Sequence, residues 1–486
     1  MDRRSFLNLG AAAGAGLAAA AWFDPDRVYA QATAPWTLGL ADVEDDVAPH
    51  KLRRLHGRLP AGLEGALYRN GPAKFRRPGR SVGHWFDGDG MVRAWTLAGG
   101  EATLAARFVD TPKRRIETSA KACVMPGFGT KAAPGSQLEG PDDSNAANTS
   151  VIRVGDALWA LWEGGSPAAL DPVSLETKGF AVLRQDLKSM PFSAHPRREA
   201  SGRLWNFGWW RDQVVVWRLS PQGALEDARI VKLPRASYIH DFTATDRHLI
   251  FVLQPWVQER MAMPFNSGFA WRPEQGTQVV VIDKADLDKR RVFELPPFFF
   301  FHLGDAWAEA DGTIRFDACI DPDPSFAVTG AAKLLSGEAS GGPAPRLALV
   351  TLGADGKARL EQTSDAAEFP RNDPRYAGLA GNMTVHTVIE PGRPLSRGIA
   401  TRDWRGGKAQ AFDFGLDHLV EEFVFAPRPG GSAAFDGWLV GTTLNLKAKA
   451  SELHVFDARR VADGPVCSLR AEAALPVSFH GNFVRG

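Results

Sequence analysis

The stretch Gln213-Val214-Val215-Val216-Trp217-Arg218-Leu219 is built from β-branched and aromatic residues and reads as a strand. The same composition returns in Leu249-Ile250-Phe251-Val252-Leu253, in Gln278-Val279-Val280-Val281-Ile282 and in Leu347-Ala348-Leu349-Val350-Thr351-Leu352. It returns again in Gly437-Trp438-Leu439-Val440-Gly441, and turn signals such as Ala200-Ser201-Gly202, Asp311-Gly312 and Asp355-Gly356 punctuate the chain. Helical periodicity is scarce. From Pro35 onward, short strands and turns repeat without a break in style. That predicts an all-β chain, and a propeller rather than a sandwich, because a sandwich this large would have to split.

The whole chain has 486 residues, 44% of them hydrophobic, enough for a sizeable core. Its net charge of +1, with both signs mixed along the sequence, offers no basic footprint and argues against nucleic acid as a partner. Cys123, Cys319 and Cys467 are odd in number and far apart, which suggests neither a disulfide framework nor a thiolate metal site. The beginning of the chain reads differently from the rest. Arg3-Arg4-Ser5-Phe6-Leu7 precedes a weakly apolar, Ala/Gly-rich run over 9–23, and Val28-Tyr29-Ala30 offers small residues for cleavage. This resembles a twin-arginine export signal over residues 1–30, and an uncleaved anchor is the alternative. The expectation is a single domain over 31–486, delivered to the periplasm by the twin-arginine machinery.

Four histidines stand beside aromatic, small or acidic neighbours: His195 in Ser193-Ala194-His195-Pro196, His240 in Tyr238-Ile239-His240-Asp241-Phe242, His302 in Phe300-Phe301-His302-Leu303, and His480 in Phe479-His480-Gly481-Asn482. Their spacings of 45, 62 and 178 residues exceed any single helix or finger. At roughly 60 residues per blade they correspond to one, one and three blades of a propeller. Inner strands of different blades converge on one axis, so four neutral imidazoles could meet there and hold a divalent transition metal. The loops over 127–148, 261–273 and 323–345 are rich in Gly, Ala, Pro, Ser or Met, and such insertions either build a lid or are merely tolerated.

Surrounding motifs sharpen this. Leu67-Tyr68-Arg69-Asn70-Gly71-Pro72, followed by His84-Trp85-Phe86-Asp87-Gly88-Asp89-Gly90, resembles the opening signature of the carotenoid cleavage oxygenase family. Asn148-Thr149-Ser150, Leu158-Trp159-Ala160-Leu161-Trp162-Glu163-Gly164-Gly165, Glu368-Phe369-Pro370-Arg371 and Glu422-Phe423-Val424-Phe425-Ala426-Pro427 follow in the family's order. The resemblance covers essentially all of the chain after the leader. It implies a seven-bladed β-propeller, with loops and short helices forming a lid over an axial non-haem Fe(II). It also implies His195, His240, His302 and His480 as the iron ligands. Glu163, Glu368 and Glu422 would orient the imidazoles, with Glu421 as the alternative to Glu422. Thr149 would crowd one open iron position, and His84 would be structural. His50, His56, His248, His386, His418 and His454 have no matching context. Two departures stand out: Asp305 occupies a position where relatives commonly carry Asn, and Ala433-Ala434 replace an acidic pair.

The activity so implied is cleavage of a C=C bond by O₂ into two carbonyl products, with a hydrophobic polyene as substrate. Stilbene-cleaving relatives typically carry Lys where this chain has Trp162, which favours a carotenoid or apocarotenoid. A lignostilbene- or stilbenoid-cleaving dioxygenase, an iron-binding isomerase and a non-cleaving binding protein are the other readings. A polyene partitions into membranes, so peripheral contact with a bilayer is expected, with 256–271 as a candidate patch.

Overall fold

The computed structural model describes residues 34–486 apart from 382, 391–392 and 394; the export signal expected over 1–30 lies outside the described residues. No helix among the described residues is long and apolar enough to cross a membrane. Among the described residues strands dominate, joined by turns, with α-helices only at Pro112–Ala120 and Ala331–Leu335.

Gln213–Leu219 is an inner strand of a four-stranded antiparallel sheet, paired with Leu204–Trp210 on one side and Leu225–Lys232 on the other. Its apolar residues run without alternation because both faces are buried. Val214 and Val216 pack toward Leu249 and Phe251 of the next sheet, while Val215, Trp217 and Leu219 pack toward Ile152 and Trp159 of the preceding one. The arrangement recurs. A seven-stranded sheet is two four-stranded units sharing the long strand Ala358–Arg371, which gives seven principal units in chain order besides the small pair Trp256–Gln258 and Phe269–Trp271. Apolar clusters join each unit to the next, and one cluster with Leu67, Trp95, Val424 and Trp438 joins the first to the last. The chain ends are laced across these two: Arg53–Gly57 pairs with Cys467–Arg470, and His480–Arg485 pairs with Gly65–Lys74.

The segment 256–271 differs from a loose surface patch. Trp256 is buried among Tyr238, Phe269 and Phe299, and the segment exposes Met261 and Met263 beside the polar Glu259, Arg260 and Ser267. The three cysteines are buried and free.

The departure at Asp305 has a physical consequence. The backbone folds tightly here, for a side chain on Gly304 would meet Asp317 Oδ2 at 2.0 Å. The Asp305 N–H donates to Asp317 Oδ1 at 3.0 Å, and Asp305 Oδ1 accepts from the Gly378 N–H. Burial first, then the Asp305 charge, pushes the Asp317 carboxyl from 3.8 up to about 7. A carboxyl raised in the folded state stabilises the fold below its unfolded value and loses that contribution as pH rises through the folded one. Thermal stability should therefore fall between about pH 4 and 7 on account of this pair. Asp305→Asn should flatten the fall, raising the Tm at pH 8 more than at pH 5; an unchanged pH slope would remove the pair from the account.

Candidate metal centre

Three of the four histidines lie where an edge strand of a sheet begins or is about to begin. His195 and His240 lie two and three residues before Arg197–Arg198 and Thr243–Ala244, and His480 opens His480–Arg485. His302 lies inside Phe299–Ala308, at a break in pairing register between Phe300 and Leu303. A bulge there re-aims the side chain. In sheet order the four stand one, one and three units apart, which is the spacing expected from the sequence.

The rings converge. Nε2 of His195 lies 2.9 Å from Nε2 of His240, Nε2 of His302 lies 3.1 Å from Nε2 of His480, and the four ligand atoms all lie within 4.8 Å of one another. Behind three of them stand carboxylates. Nδ1 of His240 is 2.7 Å from Glu163, Nδ1 of His302 is 2.5 Å from Glu368, and Nδ1 of His480 is 2.9 Å from Glu422. An ionised carboxylate only accepts, so each of these Nδ1 atoms carries the proton, and in the neutral ring Nε2 presents a lone pair. With both rings neutral, the lone pairs of His302 and His480 face each other at 3.1 Å; burial opposes charge on His302, but the Glu368 carboxylate outweighs it and raises that ring above the usual imidazole range. Neutral donors crowded this closely suit a cation between them, since cis donors about 2 Å from a metal stand about 3 Å apart. An all-imidazole set fits Fe, Zn, Cu or Ni. Burial, then the neighbouring rings, holds His195 well below the usual imidazole range, and burial takes His480 down to about 3. Both are therefore neutral and ready to ligate.

Glu368 and Glu422 owe their aim to the same device as His302. Register breaks fall between Glu368 and Arg371 and between Val420 and Phe423. The break also explains why Glu422, and not Glu421, meets His480. Glu421 turns the other way, to Thr442, the Ser478 N–H and Arg93. Burial pushes the Glu422 carboxyl up, but Arg371, His480 and Arg69 outweigh it and hold it at about 2. Thr149 lies beside the cluster, its carbonyl accepting from the His480 N–H at 3.2 Å.

A cavity opens onto the rings. Trp85, Phe86, Phe128, Phe301, Phe326 and Phe479 line it together with Thr149, Trp162, His240, His302 and His480. Residues from 127–148 and 323–345 help to enclose it. His84 is not a ligand: its Nδ1 accepts from the Phe86 N–H and its Nε2 sits 3.1 Å from the Ala327 carbonyl, which ties two walls of the cavity together.

With this geometry in view, the profile of the retinal pigment epithelial membrane protein family matches residues 40–485. The chain belongs to this family, the carotenoid cleavage oxygenases. Relatives include a resveratrol cleavage oxygenase of Aspergillus fumigatus, 27% identical over 91% of this chain and 93% of its own length. An apocarotenoid-15,15′-oxygenase of Synechocystis is 28% identical over 94% and 96%, and a lignostilbene-α,β-dioxygenase of Sphingomonas paucimobilis is 26% identical over 88% and 93%. A solved variant of the Synechocystis apocarotenoid oxygenase superposes with a TM-score of 0.82 at 25% identity, covering 93% of this chain and 98% of that one. A cobalt-substituted form of that enzyme is also solved. This oxygenase family member is an enzyme.

Several groups around the cluster escape sequence reasoning because they lie far apart in the chain. Tyr238 donates to both oxygens of Glu163, at 3.0 and 3.1 Å, and burial followed by that carboxylate pushes its phenol well above the usual range. Arg197 pairs with Asp241 at 2.8 Å and donates to the Leu303 carbonyl, so one guanidinium ties the residues flanking His195, His240 and His302. Phe369 holds a left-handed backbone at φ 56° and stacks on His302 at 4.9 Å. Its place next to Glu368 was the available signal.

Glu163→Gln should weaken metal retention or turnover by about 10–100-fold with the fold intact. An amide can still meet the His240 ring and Tyr238, but it carries no charge. Wild-type metal content and activity in this variant would take Glu163 out of the centre.

Proposed function

We propose that the protein is a non-haem Fe(II) dioxygenase that cleaves a C=C bond of a carotenoid or apocarotenoid. The carrying observation is the ring of four imidazole Nε2 atoms, three of them backed by carboxylates, with those three rings lining an aromatic cavity. His195, His240, His302 and His480 would hold the iron. Glu163, Glu368 and Glu422 fix the tautomer and plane of three rings and offset the metal's charge. Thr149 narrows the space beside the cluster. When bound, iron supplies the activation of O₂, whose two atoms end on the two carbons of the broken bond as two carbonyls. The chain's own part is to bury an extended apolar substrate along Phe86, Phe301, Phe326 and Phe479 and to place one double bond over the rings. A closed seven-bladed propeller, lidded by 127–148 and 323–345, is the scaffold this reading requires.

Trp162 supports the polyene over a stilbenoid. Solved variants of the Synechocystis apocarotenoid oxygenase alter a threonine, a tryptophan 13 residues on and the glutamate next to it, the spacing of Thr149, Trp162 and Glu163. The stilbenoid reading persists through the resveratrol- and lignostilbene-cleaving relatives. The Arg3-Arg4 leader carries the further proposal of twin-arginine export to the periplasm, and exposed Met261 and Met263 that of peripheral membrane contact.

The test is the wild-type ratio. Iron-loaded protein should cleave a long apocarotenoid with a kcat/KM at least about tenfold above that for 4-hydroxystilbene, only about 1.4 kcal/mol of transition-state preference. Burial of more apolar surface supplies this readily, at about 25 cal/mol per Å². Equal or faster cleavage of the stilbene would overturn the polyene reading in favour of the stilbenoid.

A further inference from the structure

Seven aspartates are buried among the described residues: Asp87, Asp89, Asp241, Asp305, Asp317, Asp321 and Asp373. Six of them accept hydrogen bonds from protein groups. Asp87 takes the Phe128 N–H, Asp89 the Lys113 ammonium, Asp241 the Leu303 N–H, Asp305 the Gly378 N–H, Asp317 the Asp305 N–H and Asp373 the Phe435 N–H. Asp321 is the exception. It ends the strand Ile314–Asp321, opposite Phe299, and is 9% exposed. No protein group among the described residues donates to its carboxyl, and no Lys or Arg among them pairs with it. What exposure it has is into the cavity, which it lines together with Phe301, Phe326 and Glu368.

A buried polar group with no partner is costly and is expected to find one. The space the structure shows beside the carboxyl is this cavity. Burial, then the charges of Glu368 and Asp323, holds the group well above the usual carboxylate range. A carboxyl in that state offers one O–H donor and an acceptor, and so matches a hydroxyl or a carbonyl.

Resting on the cleavage reading above, we propose that Asp321 is a substrate-anchoring residue: it hydrogen-bonds an oxygen carried by the substrate, and thereby selects oxygenated polyenes or stilbenoids over the matching hydrocarbons. An apolar wall alone discriminates weakly between such pairs, whereas a buried polar group left unpaired discriminates strongly.

The experiment uses two matched pairs: an apocarotenal with the hydrocarbon of the same chain length, and 4-hydroxystilbene with stilbene. Binding is read by quenching of tryptophan fluorescence, since Trp85 and Trp162 line the cavity, and kcat/KM is read with iron-loaded protein. Wild-type protein should favour the oxygenated member of at least one pair by about tenfold or more. The pair that shows the preference identifies the source of the oxygen. Asp321→Leu should lose that preference by weakening only the oxygenated ligand. Its Tm should not fall, because the native carboxyl makes no hydrogen bond to the described protein. Asp321→Asn, neutral and able to donate and accept, should keep most of the preference. If Asp321→Leu does not fold, Asp321→Ala is read in the same way. A preference that survives Asp321→Leu or Asp321→Ala, equal losses for both members of a pair, or no wild-type preference in either pair would overturn the proposal. Preferential binding without cleavage of any substrate would sustain the anchor and defeat the cleavage reading; cleavage without preference would do the reverse.

Discussion

Replacement of His302 by alanine is expected to remove essentially all bound iron and all C=C cleavage, while wild-type protein holds about one iron per chain. The ring of His302 lies 3.1 Å from His480 and is gripped from behind by Glu368 at 2.5 Å. Phe301 and Phe369, its neighbours, offer no donor atom in its place. Three imidazoles on a framework shaped for four bind weakly, and the Glu368 carboxylate loses the N–H that it orders. Elemental analysis of the purified variant checks this: stoichiometric iron at His302→Ala would mean that the metal sits elsewhere.

Arg69→Met is expected to cost about 3–5 kcal/mol of stability, the usual penalty for breaking a buried ion pair. Arg69 is fully buried. Its guanidinium donates to the Ser478 hydroxyl, to the Phe479 carbonyl and to both the carbonyl and the carboxylate of Glu422, and Glu421 lies 3.7 Å away. Methionine fills much of the same volume but leaves two buried carboxylates short of a cation. Because Glu422 also steers His480, metal content should fall with stability. Denaturant unfolding and elemental analysis of the same sample check both parts; a variant as stable and as metal-rich as the wild type would contradict the role given to Arg69.

Arg69 also shows where sequence reading stops. Leu67-Tyr68-Arg69-Asn70-Gly71-Pro72 was legible as a family signature, but its physical work was not. Its partners, Glu422 and Phe479, lie more than 350 residues along the chain, and the lacing of His480–Arg485 onto Gly65–Lys74 brings the Phe479 end of the chain to it. By contrast, the all-β character was readable from local composition, because runs such as Gln213–Leu219 are buried on both faces. The one, one and three spacing of the histidines was readable because one unit follows another in chain order. The choice of Glu422 over Glu421 was a matter of motif register, and the reason appears only in the bulge between Val420 and Phe423. Arg197, Tyr238 and Asp321 left no sequence signal of their own. The first two depend on approach between units, and the third is recognisable only by the partner it lacks.

The measurement that bears most directly on the central claim is the mass of the products formed from an apocarotenal by iron-loaded protein under O₂. The account predicts two carbonyl fragments whose masses sum to substrate plus one O₂, with O₂ consumed in equal amount and no added reductant. Recovery of unchanged or merely isomerised substrate, with no O₂ uptake by protein shown to carry iron, would contradict it.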